Sequence, residues 1–508
     1  MQKKQTILVV ASLLIVILSV TLAYFTAQII GKGKSVTINS ADLKIVFTDS
    51  DGSISGTNIE PGKWNVTKTF TIENKSNETY KYNIVIQDLV NTFVTNGYLQ
   101  YKITSTNGGY NMTEFKDVPK SSVATDTILA YSVSIPVGVT QSYTIEFIYK
   151  NDESVDQSDD MGKKLSGKLF ITEGTLPTLL SQILKDNPTR STRSNNNNGT
   201  NDFATPLTTT TTGTLFTSTE SITGITDSPK EVYYYAGNTT NNWVKFANLY
   251  WRIIRTNHDG SIRLLYVGTS HDTTGGNIGT SEFNSTGDSP KYVGYKYGED
   301  TSLDTIRNNT TDSTIKTFID TWYQNNLTNY TKYLSTSAVY CNDRSLGTGQ
   351  EYSASAQFDF APYYRMDFDT NGAKANPSYN CTNIRDAFSV DNTSAKLDYP
   401  VSLMTADEIA FAGGVAFQKM NTPYAWFISN SAGTQVSTYW WSLSPINWNG
   451  SYAFVWYWDS DNTSLNYNVV DGTFAVRPAI SLKSCIKYST GDGTYETPYE
   501  IVETSSGC

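Results

Sequence analysis

Apolar and polar side chains alternate along most of the chain between residues 35 and 174. The runs TKTFTIENKS, TYKYNIVIQDL and QSYTIEFIYKND show this period of two most clearly. Successive side chains of a β-strand point to opposite faces, so the period predicts strands with one buried face. Seven such runs are separated by turn pairs such as Asp51-Gly52 and Pro61-Gly62. They predict an all-β sandwich domain over residues 35–174.

The pattern changes between residues 175 and 230, where Thr, Ser and Asn dominate. Runs of asparagine at 195–198 and of threonine at 208–212 offer no apolar face, which predicts a linker or stalk without a core of its own. Within this segment, the amphipathic run LLSQILKDN predicts a short helix. It ends before Pro188 because proline cannot continue a helix.

Strand and helix periods are mixed from residue 231 to the C-terminus. Two apolar runs, YWRIIRT and SIRLLYV, flank the sequence NHDG at 257–260. These turn residues tolerate positive φ, so the pattern predicts a β-hairpin. Together with the helices described next, it predicts an α+β domain over residues 231–508.

Two helices are indicated in this domain. Helical spacing of apolar residues predicts a helix over residues 314–326 with Asp312 or Ser313 as its N-cap. A second helix begins at Thr405, because Thr405 and Glu408 match a capping box just before the apolar run IAFAGG.

The N-terminus carries an export signal. Residues 7–27 form an uncharged run rich in Leu, Ile, Val and Ala, preceded by Lys3 and Lys4. A basic start followed by an apolar stretch of this length predicts a signal or membrane-anchor helix over residues 1–30. Cleavage near residues 21–23 stays open. We therefore expect an extracellular or cell-surface protein, held in the membrane by this helix if it is uncleaved.

Charge and histidine content exclude several classes of function. The formal net charge is −10 and no Lys/Arg cluster follows the N-terminus, which argues against nucleic acid because phosphates require a basic footprint. The chain has two histidines and lacks GxSxG, HExxH and phosphate-loop motifs, so we expect no catalytic residues, metal or cofactor. Asp407 and Glu408 are neighbours on a predicted helix and point about 100° apart, which favours capping over catalysis. A glycosidase with two facing carboxylates is the enzymatic alternative.

Four cysteines, Cys341, Cys381, Cys485 and Cys508, lie in the C-terminal half. Their spacing differs from zinc and CxxC redox patterns, which predicts two disulfides in an exported chain. Of the three connectivities, pairing Cys341 with Cys381 and Cys485 with Cys508 closes the shortest loops. Four free buried thiols are the alternative.

Tryptophan is concentrated in one segment, where five of the ten tryptophans fall within nineteen residues. The residues between them are aromatic or carry amides, a mixture that flat binding surfaces favour. The alternation of Phe454, Trp456 and Trp458 is also typical of a β core, but we expect only one face of these strands to be core. The sequence therefore predicts a ligand-binding surface formed by Trp440, Asn447, Trp448, Asn449, Tyr452, Trp456, Tyr457, Trp458, Asp459, Asp461, Asn462 and Tyr467.

The N-terminal third resembles a known family. The stretch AYFTAQIIGKGKSVTINSADLKI, followed by EPGKWNVTKTFTIENKSNETYKYNIVI, resembles the start of the camelysin and biofilm-fibre family of Gram-positive surface proteins. The resemblance implies an N-terminal strand that can be donated to a neighbouring subunit, a form of β-augmentation. The strand spacing is similar to that of immunoglobulin-like (Ig-like) sandwiches.

The C-terminal half resembles a large group of uncharacterised exported Gram-positive proteins through YCNDRS, YPVSLMTADEIAFAGG, WWSLSP and AVRPAISL. Its closing strands also resemble C-type lectin-like folds, which include formylglycine-generating enzymes and retroelement-diversified receptor proteins. The enzyme branch holds copper with two nearby cysteines, a pattern from which Cys485 and Cys508 depart. The calcium-dependent branch requires a carboxylate that residues 448–450 lack. Residues 446–473 resemble the diversified surface of the receptor branch.

These patterns and resemblances predict a multidomain protein with an N-terminal all-β Ig-like sandwich followed by an α+β C-type lectin-like domain. We expect a non-enzymatic, adhesin-like surface protein that recognises a glycan or protein ligand on another cell or a host surface. The alternative is a structural fibre or extracellular-matrix subunit that assembles through the N-terminal sandwich.

Overall fold

The chain is mostly β-sheet and divides after Leu176 into two compact units, which confirms a β-rich multidomain protein. No helix in the ranges below is long and apolar enough to cross a membrane. The predicted export helix at residues 1–30 lies outside them. The computed structural model describes residues 35–40, 43–49, 53–55, 59–75, 79–174, 176–193, 203, 213–273, 276–366, 376–417, 426–428, 439–504 and 507–508.

The N-terminal unit consists of antiparallel strands in two sheets. Its strands are β1 (Ser35–Ser40), β2 (Leu43–Asp49), β3 (Ser53–Ser55), β4 (Asn65–Asn74), β5 (Tyr80–Asn91), β6 (Leu99–Ser105), β7 (Lys116–Asp117), β8 (Ser121–Ile135), β9 (Thr140–Tyr149) and β10 (Leu165–Glu173), with one 3₁₀ turn at Ser158–Asp160. One sheet has the order β1-β2-β4-β9-β6-β7 and the other β3-β10-β5-β8.

The predicted alternation is confirmed in this unit. Ile72 of β4 and Ile145 of β9 are fully buried, as are Ile84 of β5 and Leu169 of β10 from the second sheet, and all four belong to one core. The seven predicted runs become ten described strands, because the first run splits into β1 and β2 and two short strands, β3 and β7, are added.

The C-terminal unit combines several sheets with helices, five of them in the described residues. The helices are α1 (Leu179–Asp186), α2 (Leu303–Ile306), α3 (Thr314–Asn326), α4 (Ala361–Met366) and α5 (Ala406–Phe411), with 3₁₀ turns at Pro290–Val293, Thr328–Tyr333 and Ile384–Asp386. The strands are β11 (Thr189–Ser191), β12 (Thr214–Glu220), β13 (Lys230–Tyr234), β14 (Trp243–Phe246), β15 (Leu249–Thr256), β16 (Ile262–Gly268), β17 (Thr280–Glu282), β18 (Lys296–Tyr297), β19 (Thr311–Asp312), β20 (Tyr340–Cys341), β21 (Phe358–Asp359), β22 (Ala387–Phe388), β23 (Val401–Leu403), β24 (Tyr439–Trp448), β25 (Ala453–Asp459), β26 (Ser464–Val469), β27 (Thr473–Ala475), β28 (Pro478–Leu482), β29 (Tyr488–Thr490) and β30 (Tyr499–Ile501).

Two sheets organise this unit. A ten-stranded sheet follows the order β11-β12-β13-β15-β14-β30-β29, and β15 also pairs with β16, which leads through β28 to β23. The second sheet, which we call the aromatic sheet, has the order β17-β27-β24-β25-β26, with β21 on β24. Side chains from both sheets and from α1, α3 and α5 form one continuous core.

Local sequence signals locate several elements correctly. Helix α1 ends at Asp186, before Pro188, and α3 spans Thr314–Asn326 with the Ser313 hydroxyl accepting the Lys316 N–H at 3.2 Å. The predicted hairpin is formed by β15 and β16, and Gly260 adopts φ = 75° in its turn. Both predicted disulfides are present, Cys341–Cys381 and Cys485–Cys508.

The segment predicted as a linker contributes to the C-terminal unit. In the described part of residues 175–230, Leu179 and Ile183 of α1 and Leu215 of β12 are buried in its core, and β12 pairs with β13. The average hydrophobicity of the segment is low, and it did not indicate that these few apolar positions would be buried. The asparagine and threonine runs at 195–198 and 208–212 lie outside the described residues.

Candidate functional site

The tryptophans of the predicted binding surface lie in the interior. Trp440, Trp441, Trp448, Trp456 and Trp458 are 0–2% exposed. They occupy β24 and β25 at the centre of the aromatic sheet, and both faces of these strands are covered. On one face Trp441 contacts Phe283, and on the other Trp458 contacts Phe427, at ring-centroid distances of 6.0 and 4.9 Å. Partners distant in the sequence therefore bury the face that we expected to be exposed.

Most polar residues of the predicted surface stabilise turns. The Asp459 carboxylate accepts the backbone N–H groups of Asp461 and Asn462 at 3.1 and 3.0 Å and the Asn462 side-chain amide at 2.8 Å. Asn449 similarly accepts the N–H of Tyr452 at 2.7 Å. Asn449, Asp461 and Asn462 are exposed in these turns, whereas Asp459 is buried. Tyr457 is buried, and Asn447 is half-buried with a buried Oδ1 that has no hydrogen-bond partner among the described residues.

Two aromatic residues of the predicted surface are exposed. Tyr452 and Tyr467 are 50% and 43% exposed, and Phe417, which the sequence did not indicate, is 40% exposed. Tyr452 lies in the turn that precedes β25, two positions before Phe454. Phe454 is half-buried. We call Phe417, Tyr452, Phe454 and Tyr467 the aromatic platform.

Contacts between rings join three members of the aromatic platform, Phe417, Phe454 and Tyr467. Tyr467 of β26 pairs in register with Trp456 of β25, and its ring lies 5.5 Å from Phe454 and 5.9 Å from Phe417. Phe417 lies 5.2 Å from the buried Trp456 ring, which supports the platform from below. Phe417 has φ = 56°, a region that bulky residues rarely adopt and that is frequent at functional sites.

The aromatic platform is where exposed apolar rings concentrate. Five large hydrophobic residues of the C-terminal unit are exposed among those described, and three of them belong to the platform; the other two are Ile225 and Tyr364. Asn466 and Asn468 flank Tyr467 along β26, so their side chains lie on the other face of the strand, where each accepts a neighbouring backbone N–H, at 2.9 and 2.7 Å. Clustered exposed rings are typical of binding surfaces.

A buried ion-pair network is the feature that sequence reasoning missed. Arg255 of β15 donates to Glu220 and to Glu408, both at 2.8 Å, and Glu408 also accepts from Arg263 of β16. Burial would raise the pKa of Glu220, but Arg255 and His258 lower it to about 2. The sequence feature that could have indicated this network is the presence of arginines inside the apolar runs YWRIIRT and SIRLLYV, because an arginine in a buried strand needs an acidic partner.

The network borders a small cavity of about 20 Å³ that Arg365, Asp343 and Asp407 also line. Arg365 contacts Asp407 at 2.7 Å and Asp343 at 2.8 Å. Three guanidinium groups thus face four carboxylates, each charge with an opposite partner. Glu408 also forms the predicted capping box with Thr405, with both hydrogen bonds at 3.0 Å. This arrangement stabilises the fold and does not favour an anionic ligand.

One acidic cluster has a spacing that could suit a metal ion. Carboxylate oxygens of Asp312, Asp320 and Asp398 lie within 4.8 Å of one another. The buried Lys316 ammonium contacts all three, at 3.0, 2.6 and 2.7 Å. The lysine therefore supplies the positive charge that holds these carboxylates together.

The comparisons with protein families and with curated proteins identify no relative of this chain. Neither a scan against protein-family models nor a search of the curated proteins finds a match for this chain. The functional argument therefore depends on the residues themselves.

Proposed function

We propose that the protein is an exported, non-enzymatic surface protein whose C-terminal unit binds a glycan through the aromatic platform. The observation that carries the proposal is the cluster of partly exposed rings of Phe417, Phe454 and Tyr467, in which Phe417 packs on the buried Trp456, together with the exposed Tyr452 in the turn before β25. Aromatic faces stack on the apolar faces of sugar rings. A protein ligand with an apolar patch is the other class that such a surface can accept.

We further propose that the N-terminal unit is an Ig-like sandwich and the C-terminal unit a C-type lectin-like head. Two antiparallel sheets around one core support the first assignment. The second is supported by the aromatic strands β24–β26, which precede the strand that follows Val476-Arg477. In this interpretation the N-terminal unit presents the head, and the segment at residues 1–30 exports the chain.

Alanine substitutions at Tyr452 and Tyr467 are expected to weaken binding without unfolding the head. Each removes one exposed ring, and one aromatic stack is worth about 1 kcal/mol, so binding to an array of immobilised oligosaccharides should fall about 5- to 10-fold per substitution. Tyr364→Ala is the matched control, because Tyr364 is 44% exposed and lies outside the platform. If Tyr364→Ala weakens binding as much as Tyr467→Ala, the platform is not the binding surface.

A fibre subunit is the second candidate, and one observation favours it. Strand β1 is an edge strand of the six-stranded sheet in the N-terminal unit, and it is hydrogen-bonded to β2 on one side. Such an edge can accept a strand from another copy. A chain that starts at Tyr24 is then expected to form polymers that sediment and are visible by electron microscopy. A chain that stays monomeric at high concentration would contradict this candidate.

A further inference from the structure

Two arginines in the C-terminal unit are buried without an acidic partner. Arg252 of β15 is 5% exposed, and Arg477, between β27 and β28, is 1% exposed. Among the described residues, no Asp or Glu forms an ion pair with either. In contrast, Arg255, Arg263, Arg307, Arg344 and Arg365 of the same unit each contact a carboxylate.

The groups that surround the two guanidiniums are neutral. Arg252 donates to the Asn242 side chain at 2.5 Å and to the Thr239 carbonyl at 2.9 Å. Arg477 donates to the carbonyls of Phe427 and Tyr266 at 2.9 and 3.2 Å, and its buried Nε has no hydrogen-bond partner among the described residues.

Indole rings complete this environment. The Arg252 guanidinium lies 4.4 Å from the Trp243 ring and 5.4 Å from Trp426, and the Arg477 guanidinium lies 5.1 Å from Trp440. Ring faces and carbonyl dipoles attract a cation, but they carry no net charge. Buried charges in proteins are normally paired, because removing an ion from water costs several kcal/mol.

The two charges also act on each other. Burial lowers the pKa of Arg252 to about 9, and the neighbouring Arg477 charge adds to this effect. Burial likewise lowers the pKa of Arg477 to about 9. Both groups are still cationic at neutral pH. The chain between Phe417 and Tyr439, which contains the partners Trp426 and Phe427, has no Asp or Glu, so this stretch does not supply the counter-charge.

We propose that Arg252 and Arg477 form a binding site for one small anion, a halide or a carboxylate, lined by the rings of Trp243, Trp426 and Trp440. The Arg477 Nε–H provides a donor for the anion, and guanidinium groups bind carboxylates with matched geometry. Thr239 and Asn242, which contact Arg252, are buried, and their neighbours Asn238 and Thr240 are exposed. The site is separate from the aromatic platform and does not depend on glycan binding.

Thermal unfolding of the full chain tests the site. The protein is dialysed free of chloride and then titrated at constant pH and ionic strength with sodium bromide or with sodium formate. Binding is expected to raise the midpoint of the C-terminal unit saturably, and an anion at a hundred times its dissociation constant makes the folded-to-unfolded ratio about 100-fold larger. A response to bromide alone identifies a halide site, and a response to formate alone identifies a carboxylate site.

Variants separate this effect from general salt effects. Arg252→Met/Arg477→Met is expected to lose the saturable response, whereas Arg385→Met, which removes a more exposed arginine paired with Asp304, keeps it. Equal responses of the wild type and the double variant would overturn the proposal, as would no response in either. If the double variant does not fold, crystals of the wild type soaked in bromide and in formate decide: anomalous density for bromide, or bound formate, at the Arg477 Nε supports the site, and the absence of both overturns it.

Discussion

Replacing Trp456 by alanine is expected to destabilise the C-terminal unit by about 3–5 kcal/mol, the usual cost of removing a large buried aromatic ring. The Trp456 side chain is fully buried in β25, in the central core. Its removal leaves a cavity beneath Phe417 and Tyr467, so ligand binding is lost together with the fold. Urea unfolding of the full chain, followed by circular dichroism, measures this loss.

Tyr467→Ala is the control for this prediction. The Tyr467 ring belongs to the exposed part of the platform and is 43% exposed, so its removal should change the free energy of unfolding by less than about 1 kcal/mol. If Trp456→Ala kept its stability but lost binding, the Trp456 ring would itself be a contact surface. That outcome would restore the interpretation that the sequence alone suggested.

Glu408→Gln is expected to cost about 3–5 kcal/mol of stability, because it leaves two buried guanidinium groups without their shared carboxylate. Glu408 accepts from Arg255 and Arg263 and caps α5 through the Thr405 N–H. Burial opposes the charge on Glu408, but Arg263 and Arg255 hold its pKa below the ordinary value. A neutral amide cannot balance these charges. The unfolding midpoint of the C-terminal unit measures the effect.

An exposed ion pair provides the comparison for Glu408. Glu500 pairs with Lys245 at 3.1 Å, and both side chains are about 40% exposed, so Glu500→Gln should cost less than about 1 kcal/mol. Similar losses for the two variants would mean that the buried network contributes no more than a surface pair. The role assigned to the network would then be incorrect.

Elements with local signals could be predicted from the sequence. The capping box at Thr405, the Ser313 cap of α3 and the hairpin turn at Gly260 each depend on residues within a few positions of one another. The shortest-loop rule likewise gave both disulfides. In these cases the neighbouring sequence contains the determining contacts.

The burial of the tryptophans could not be predicted in the same way. Alternation shows that one face of a strand is buried, but the second face of β24 and β25 is covered by Phe283 and Phe427, which come from distant parts of the chain. The ion-pair network could not be predicted either, because Glu408 lies 153 positions from Arg255 in the sequence. Phe417 reaches the aromatic platform through the backbone bond from its N–H to the Leu465 carbonyl, which no sequence pattern indicated.

Hydroxyl-radical footprinting of the full chain tests the central claim most directly. The protein is labelled with and without the oligosaccharides that it retains on an array, and oxidation is quantified at each aromatic residue. We expect protection of Phe417, Tyr452, Phe454 and Tyr467, with no change at Tyr364. Protection confined to other residues, or unchanged oxidation of Tyr452 and Tyr467 at saturation, would contradict binding at the aromatic platform.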